Sequence, residues 1–168
     1  MTTVEIRPLI PEDAIQLATL ADNPKIWKNV RDYFPSPYTL PDAELFIGFC
    51  GREKPVCTFA VVADHAFCGV AGLIEGQDVN RISAEIGYWI GEPFWGKGIA
   101  TKAIELLTEY GFNTLGYHRI YAAIFEYNTA SMRVLVKNGY YPEGIFKESV
   151  IKNGVIYDDH RFAKLSDE

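Results

Sequence analysis

The segment Gly91–Thr101 (GEPFWGKGIAT) sets three glycines, a lysine and a threonine directly ahead of a run with helical apolar spacing. Glycine at 96 and 98 removes Cβ atoms where an anion must approach the backbone, and the first-turn amides and dipole of a following helix attract negative charge. Phosphate binding is the chemistry such a segment can do, with Lys97 adding a point charge. Three readings compete for it. Gly91–Lys97 begins like a P-loop, but Gly98 stands where Ser or Thr must hold magnesium. A dinucleotide fingerprint fails too, because Thr101 takes the third glycine position and no acidic residue lies about 20 residues on. The third reading is a plain turn that starts a helix.

A second constellation is Asn128-Thr-Ala-Ser131 followed by Lys137-Asn-Gly139-Tyr140. Asn128 is a good N-cap and Gly139 a good C′ residue for one helix, so capping accounts for both ends. It leaves unexplained why this set follows the glycine loop by about 30 residues. The aromatic segment Trp27–Tyr38 (WKNVRDYFPSPY) offers Trp27, Tyr33, Phe34 and Tyr38 as contacts for an acceptor, or alternatively as a core plug or dimer patch. His65, His118 and His160 show no metal spacing and read as solvated or core residues. Cys68 near His65 invites a thiol nucleophile, but its hairpin-like context provides no helix N-terminus to lower a thiol pKa.

These residues need elements to hold them. Val4–Arg7 reads as a strand, and Pro11-Glu12-Asp13 opens a helix whose apolar face is Ile15, Leu17, Ala18, Leu20 and Ala21. A helical piece begins at Pro24, a structured loop follows, and Leu40–Phe49 is helical again. Three β-like runs come next, Val56–Ala63, Phe67–Glu75 and Ile82–Ile90. Lys97–Phe112 carries Ala100, Ala103, Ile104, Leu107 and Tyr110 on one helical face. His118–Phe125 reads as a strand, Thr129–Asn138 as a helix, and the tail as a hairpin turning at Asn153-Gly154. Strands, then helix, strand, helix and hairpin make a mixed sheet with helices packed on its faces, an α/β (α+β) class.

The chain has 168 residues, which predicts one domain over 1–168. Hydrophobic residues at 48% and charged residues at 23% exclude disordered, collagen-like and low-complexity classes. The net charge of −6, without a Lys/Arg cluster, argues against nucleic acid as a partner and suits a cationic or amine partner. No charged leader precedes an apolar run at the N-terminus, and Phe59–Ile74 is broken by Asp64 and His65, so neither a signal peptide nor a membrane partner is expected. Cys50, Cys57 and Cys68 are odd in number and lack C-x-x-C spacing, which disfavours disulfides and zinc; no metal is expected, and a cytoplasmic setting follows.

Taken together the motifs resemble the Gcn5-related N-acetyltransferase (GNAT) superfamily over nearly the whole chain. The acetyl-CoA signature Q/R-x-x-G-x-G/A reads Pro93-Phe-Trp-Gly96-Lys-Gly98, and N-x-x-S/A with K-x-G-F/Y reads Asn128, Ser131, Lys137, Gly139, Tyr140. Ile6-Arg-Pro-Leu with Glu12-Asp13-Ala14, Glu85-Ile-Gly-Tyr-Trp-Ile90, Trp95-Gly-Lys-Gly98 and Lys152-Asn-Gly154 with Asp159 look like the RimJ/RimL branch, which includes acetyltransferases of ribosomal-protein N-termini.

The resemblance implies a mostly antiparallel mixed sheet of about seven strands, splayed at the fourth and fifth, with about four flanking helices. It implies acetyl-CoA as co-substrate, held at its pyrophosphate by Gly96, Lys97, Gly98, Ile99, Ala100 and Thr101, with Trp89 or Ile90 offering a main-chain N–H to the thioester carbonyl. Gly87 inside the same strand fits a bulge or a close backbone approach. Asn128 would bond the pantetheine or the acceptor side. The tyrosine that many relatives use as acid falls at Leu135, and Ser131 is its substitute. Glu85 matches the strand position of a base in some relatives, and Glu148 a second acidic position of the closer branch; either can equally be a surface carboxylate. Pro93 departs from the signature, a modest loss where main-chain amides do the binding. The expected reaction is direct attack of a primary amine in a ternary complex, the amine being a protein or peptide N-terminus. Alternatives are a small amine, amino acid or antibiotic acceptor, or a non-catalytic acyl-CoA-binding module. Monomer and homodimer stay open.

Overall fold

A computed structural model describes residues 2–167. Seven strands and five α-helices follow one another as β1 (Val4–Pro8), α1 (Ala14–Ala21), α2 (Pro24–Trp27), α3 (Leu40–Cys50), β2 (Thr58–Ala63), β3 (Ala66–Glu75), β4 (Ser83–Ile90), α4 (Ile99–Asn113), β5 (Arg119–Phe125), α5 (Thr129–Lys137), β6 (Tyr141–Lys152) and β7 (Val155–Leu165). The sheet order is β1-β2-β3-β4-β5-β7-β6. The chain forms two compact units: one runs to Gly72 and returns for Tyr88–Ala103, the other comprises Leu73–Gly87 and the chain from Ile104 on.

In the first unit β1 pairs antiparallel with β2, and β2 with β3. Asp64 and His65 both take positive φ (47° and 68°), which makes the two-residue turn whose twist matches the flanking strands. Phe59, Val61, Phe67, Cys68 and Val70 are all buried, so these strands carry apolar residues on both faces. Helix α1 buries Ala14, Leu17, Ala18, Leu20 and Ala21. Ile15, expected on that face, is instead 70% exposed, because the helix begins after a 3-10 turn at Pro11–Asp13 that rotates the apolar stripe. Asp13 anchors this start: its carboxylate accepts from Arg7 Nη1 (2.8 Å) and Nη2 (2.7 Å) and from the Ile10 amide (3.0 Å). A Thr39–Asp42 capping box with a proline in the first turn opens α3.

In the second unit β4 and β5 pair in parallel over Ser83–Glu85 and Arg119–Tyr121, and the ladder stops there although the strands run on to Ile90 and Phe125. β5 pairs antiparallel with β7 along its whole length, and β6 with β7. Asn153 and Gly154 (φ 50° and 75°) turn the hairpin as expected. Helix α5 ends in a Schellman motif, with Gly139 N–H donating to the Val136 carbonyl (3.0 Å) and Tyr140 N–H to Leu135 (3.1 Å). The expected seven strands are present. The helices number five rather than about four, α2 being a single turn set by Pro24 and the Asn23 cap.

Candidate functional site

The glycine segment begins where β4 ends. The Gly91 amide donates to the Cys68 carbonyl (2.7 Å), and a 3-10 turn over Glu92–Phe94 follows. Glu92 ion-pairs with Lys25 and accepts from Asn23 Nδ2 (2.8 Å), contacts that hold its carboxyl below the ordinary value. The Trp95 indole donates to the Ile90 carbonyl (2.6 Å), tying the turn back to the strand. Gly96 and Gly98 then adopt φ of +73° and +76°, a region that L side chains rarely enter. Those two glycines delay α4 to Ile99, two residues later than the apolar period predicts. Ile99 is buried and anchors the first turn, while Gly96, Lys97 and Gly98 stand in solvent. The first bond inside the helix is Lys102 N–H to the Gly98 carbonyl (3.1 Å), so the amides of Ile99 and Ala100 precede the intrahelical ladder. A Cβ at 96 or 98 would meet nothing within 4 Å, so the turn is open on its outer side. An open, glycine-shaped turn at the positive end of a four-turn helix can take an anion.

Behind it the end of β4 lies against β3. A Cβ on Gly69 would sit 2.1 Å from the Trp89 carbonyl oxygen and 2.9 Å from the Ile90 Cα. The close approach of β3 to the end of β4 is thus made at Gly69, while Gly87 is exposed and its Cβ would meet nothing within 4 Å. Trp89 packs edge-on to Phe34 (6.0 Å), which is itself 4.8 Å from Tyr38. Tyr38 is a core residue whose phenol burial pushes up to about 12. Tyr33 stands 76% exposed and Trp27 closes α2 half-buried, so the four aromatic candidates divide between core and surface.

In the second unit Asn128 caps α5, its Oδ1 accepting from the Ser131 amide (3.3 Å), and both side chains are half-buried. Leu135 is fully buried. Beside Asn128, Tyr127 stacks on Phe125 (5.5 Å) and meets Tyr157 edge-on (4.8 Å). Burial, and then Tyr157, push the Tyr127 phenol up to about 12. Sequence reasoning passed over Tyr127, whose one signal was its place next to Asn128. Glu85 is half-buried in β4 opposite Tyr121. Glu148 is exposed at φ +50°, at an irregularity of β6 where its amide donates to Asp158 Oδ1 (2.9 Å). Cys68 is fully buried and burial raises its thiol pKa, which disposes of a nucleophilic role. Among the described residues no group of His, Cys, Asp and Glu could hold a metal, and no helix is long and apolar enough to cross a membrane.

Comparison with known proteins agrees with this geometry. The family described as Acetyltransferase (GNAT) domain matches residues 3–141. The chain is 30% identical to "Probable N-acetyltransferase YjcK" of Bacillus subtilis (strain 168), covering 95% of this chain and 91% of that one. It is 31% identical to "Putative ribosomal N-acetyltransferase YdaF" of the same organism, covering 92% and 87%. The crystal structure of the microcin C7 self immunity acetyltransferase MccE, in complex with acetyl-CoA and AMP, superposes with a TM-score of 0.81 at 26% identity over 96% of this chain and 92% of that one. With the fold, the open glycine turn and the match over residues 3–141 in agreement, the chain belongs to the GNAT family of N-acetyltransferases and uses acetyl-CoA.

Proposed function

We propose that residues 1–168 act as one acetyltransferase domain whose acceptor is a protein or peptide N-terminal α-amine. The acyl group arrives as the thioester of acetyl-CoA. The amides of Gly96 to Thr101 take its pyrophosphate, with Lys97 as an added charge, and a main-chain N–H at Trp89 or Ile90 polarises the carbonyl that the amine nitrogen attacks. As the N–C bond forms and the C–S bond breaks, the proton leaves the nitrogen through water toward Glu85, with Glu148 as a second carboxylate. Ser131 hydrogen-bonds the departing sulfur and Asn128 the pantetheine arm. A thiol of pKa near about 8.5 leaves with such modest help.

The observation that carries the α-amine reading is the modest acid-base equipment: a half-buried carboxylate on β4 and a buried leucine, Leu135, at the acid position. An α-amine of pKa about 7.7–8.0 is roughly a tenth neutral at pH 7, whereas a lysine near 10.4 is neutral at about one part in 2,500, a difference of about 3 kcal/mol. Modest equipment serves the first and not the second. The ribosomal description of one relative supports the same acceptor class. Trp27, Tyr33 and Phe34 line the approach for the acceptor, with Tyr38 supporting them from the core. The reducing cytoplasm suits the three free thiols. Initial rates of thioester consumption with a free dipeptide, Nα-acetyl-lysine and a polyamine test the proposal. The dipeptide should give the highest kcat/KM at pH 7, by about tenfold or more; preference for the lysine or polyamine would overturn it.

A further inference from the structure

A polar cavity of about 440 Å³ opens in the second unit, walled by Ser83, Arg119, Tyr121, Glu143, Phe146 and Arg161. Arg119 and Arg161 come from adjacent strands and lie over aromatic rings: Arg119 is 5.1 Å from the Tyr121 ring, and Arg161 is 4.7 Å from Phe146 and 5.8 Å from Tyr121. Asp159 holds the Nε of Arg161 (2.8 Å), and Glu143 pairs with Nη2 of Arg119. Arg119 Nη1 is fully buried and has no hydrogen-bond partner among the described residues. A buried cationic N–H without an acceptor is costly, and the guanidinium fork matches the oxygens of a carboxylate or phosphate. Glu143 and Asp159 each offset one of the two arginines, so what this wall offers an incoming anion is the unpartnered Arg119 N–H rather than net positive charge.

The cavity also has a fixed relation to Glu85. Ser83 pairs with Arg119 and Glu85 with Tyr121. Alternation puts Ser83 and Glu85 on one face of β4, with Ala84 and Ile86 buried on the other, and puts Arg119 and Tyr121 on the face of β5 opposite the buried Ile120 and Ala122. Two residues along a strand span about 7 Å. We infer that this cavity is an acceptor subsite for an anionic group, a carboxylate or phosphate carried about 7 Å from the reacting amine, the spacing between an α-amine and the side chain of the next residue in an extended peptide. The inference rests on the proposed α-amine acceptor and on Glu85 marking its nitrogen. It assigns Arg119 and Arg161 as specificity-determining residues.

Two pairs of dipeptides test it with the full-length chain and acetyl-CoA: Ala-Glu against Ala-Gln, and Ala-phosphoserine against Ala-Ser. In the unaltered protein one acidic dipeptide should have a KM about tenfold or more below that of its neutral partner at similar kcat, and which pair discriminates tells carboxylate from phosphate. Arg119→Gln and Arg161→Gln should each raise the KM of the acidic dipeptide to that of the neutral one. Equal KM values within both pairs, or a preference that survives in both variants, would overturn the subsite. Calorimetric titration of the same dipeptides without acetyl-CoA separates the two readings. Acid-selective binding without turnover keeps the subsite and sinks the α-amine acceptor, whereas indiscriminate turnover of all four keeps the acceptor and sinks the subsite.

Discussion

Gly69→Ala is the substitution on which the geometry speaks most sharply. The new Cβ would lie 2.1 Å from the Trp89 carbonyl oxygen and 2.9 Å from the Ile90 Cα, both main-chain atoms that no rotamer change can move aside. An ordinary carbon–oxygen contact is about 3.3 Å, so β3 and the end of β4 must part by about 1 Å. Overpacking of this kind costs about 1–3 kcal/mol, and the strained neighbouring bond from Gly91 N–H to the Cys68 carbonyl (2.7 Å) adds about 1 kcal/mol. At about 2–4 °C per kcal/mol for a chain of this length, the melting temperature should fall by about 10 °C. The same shift moves the Trp89 and Ile90 amides, so kcat/KM for acetyl-CoA should fall with it. Gly87→Ala is the control, since its Cβ meets nothing within 4 Å. Thermal unfolding followed by circular dichroism decides it: a Gly69→Ala protein melting within about 2 °C of the parent would refute the close-approach argument.

Burial pushes the Asp13 carboxyl up, but the Arg7 fork and the Ile10 amide overcome it and leave its pKa below the ordinary value. Its stabilising contribution is therefore present above the unfolded pKa of about 3.9 and is lost as pH falls through the lower folded value, so Asp13→Asn should flatten the acid limb of urea stability against pH. At neutral pH that variant should lose about 2 kcal/mol, less than a fully buried pair because Arg7 remains 33% exposed. Glu85→Gln should lower turnover about tenfold or more on an α-amine acceptor, and unchanged turnover across pH would remove Glu85 as the base. Burial, followed by Glu53, pushes the Cys50 thiol up to about 11. Iodoacetamide at pH 8, read by mass spectrometry, should modify the half-buried Cys57 well before Cys50, and equal rates would contradict the burial.

Much of the fold was legible because its signals are local. The Asn153-Gly154 turn, the Asn128 and Gly139 caps and the period of α4 each depend on a few neighbouring residues, and all took the expected form. Errors fell where a tertiary partner decides. Nothing near Gly69 in sequence announces that the Trp89 carbonyl passes 2.1 Å from its missing Cβ. Ile15 fits the helical stripe, and a 3-10 turn set by the Arg7–Asp13 contact rotates it outward. The glycine turn was readable because positive φ is a property of the residue itself. The arginine cavity was not, since its walls come from stretches separated by up to 85 positions between Gly76 and Arg161, brought together only by strand pairing.

The open glycine turn at the head of α4 is proposed as the cofactor's anion cradle, and thermal unfolding with and without coenzyme A tests that directly. At about 100 times the dissociation constant, binding to the folded state alone stabilises by about 2.7 kcal/mol, which predicts a rise of roughly 5–10 °C in the native protein. Gly98→Ala, which forces a side chain into φ +76° at about 1–2 kcal/mol, should melt about 2–8 °C below the parent without ligand and lose most of the ligand-induced rise. No rise in the native protein, or the full rise retained by Gly98→Ala, would contradict the assignment of the cradle.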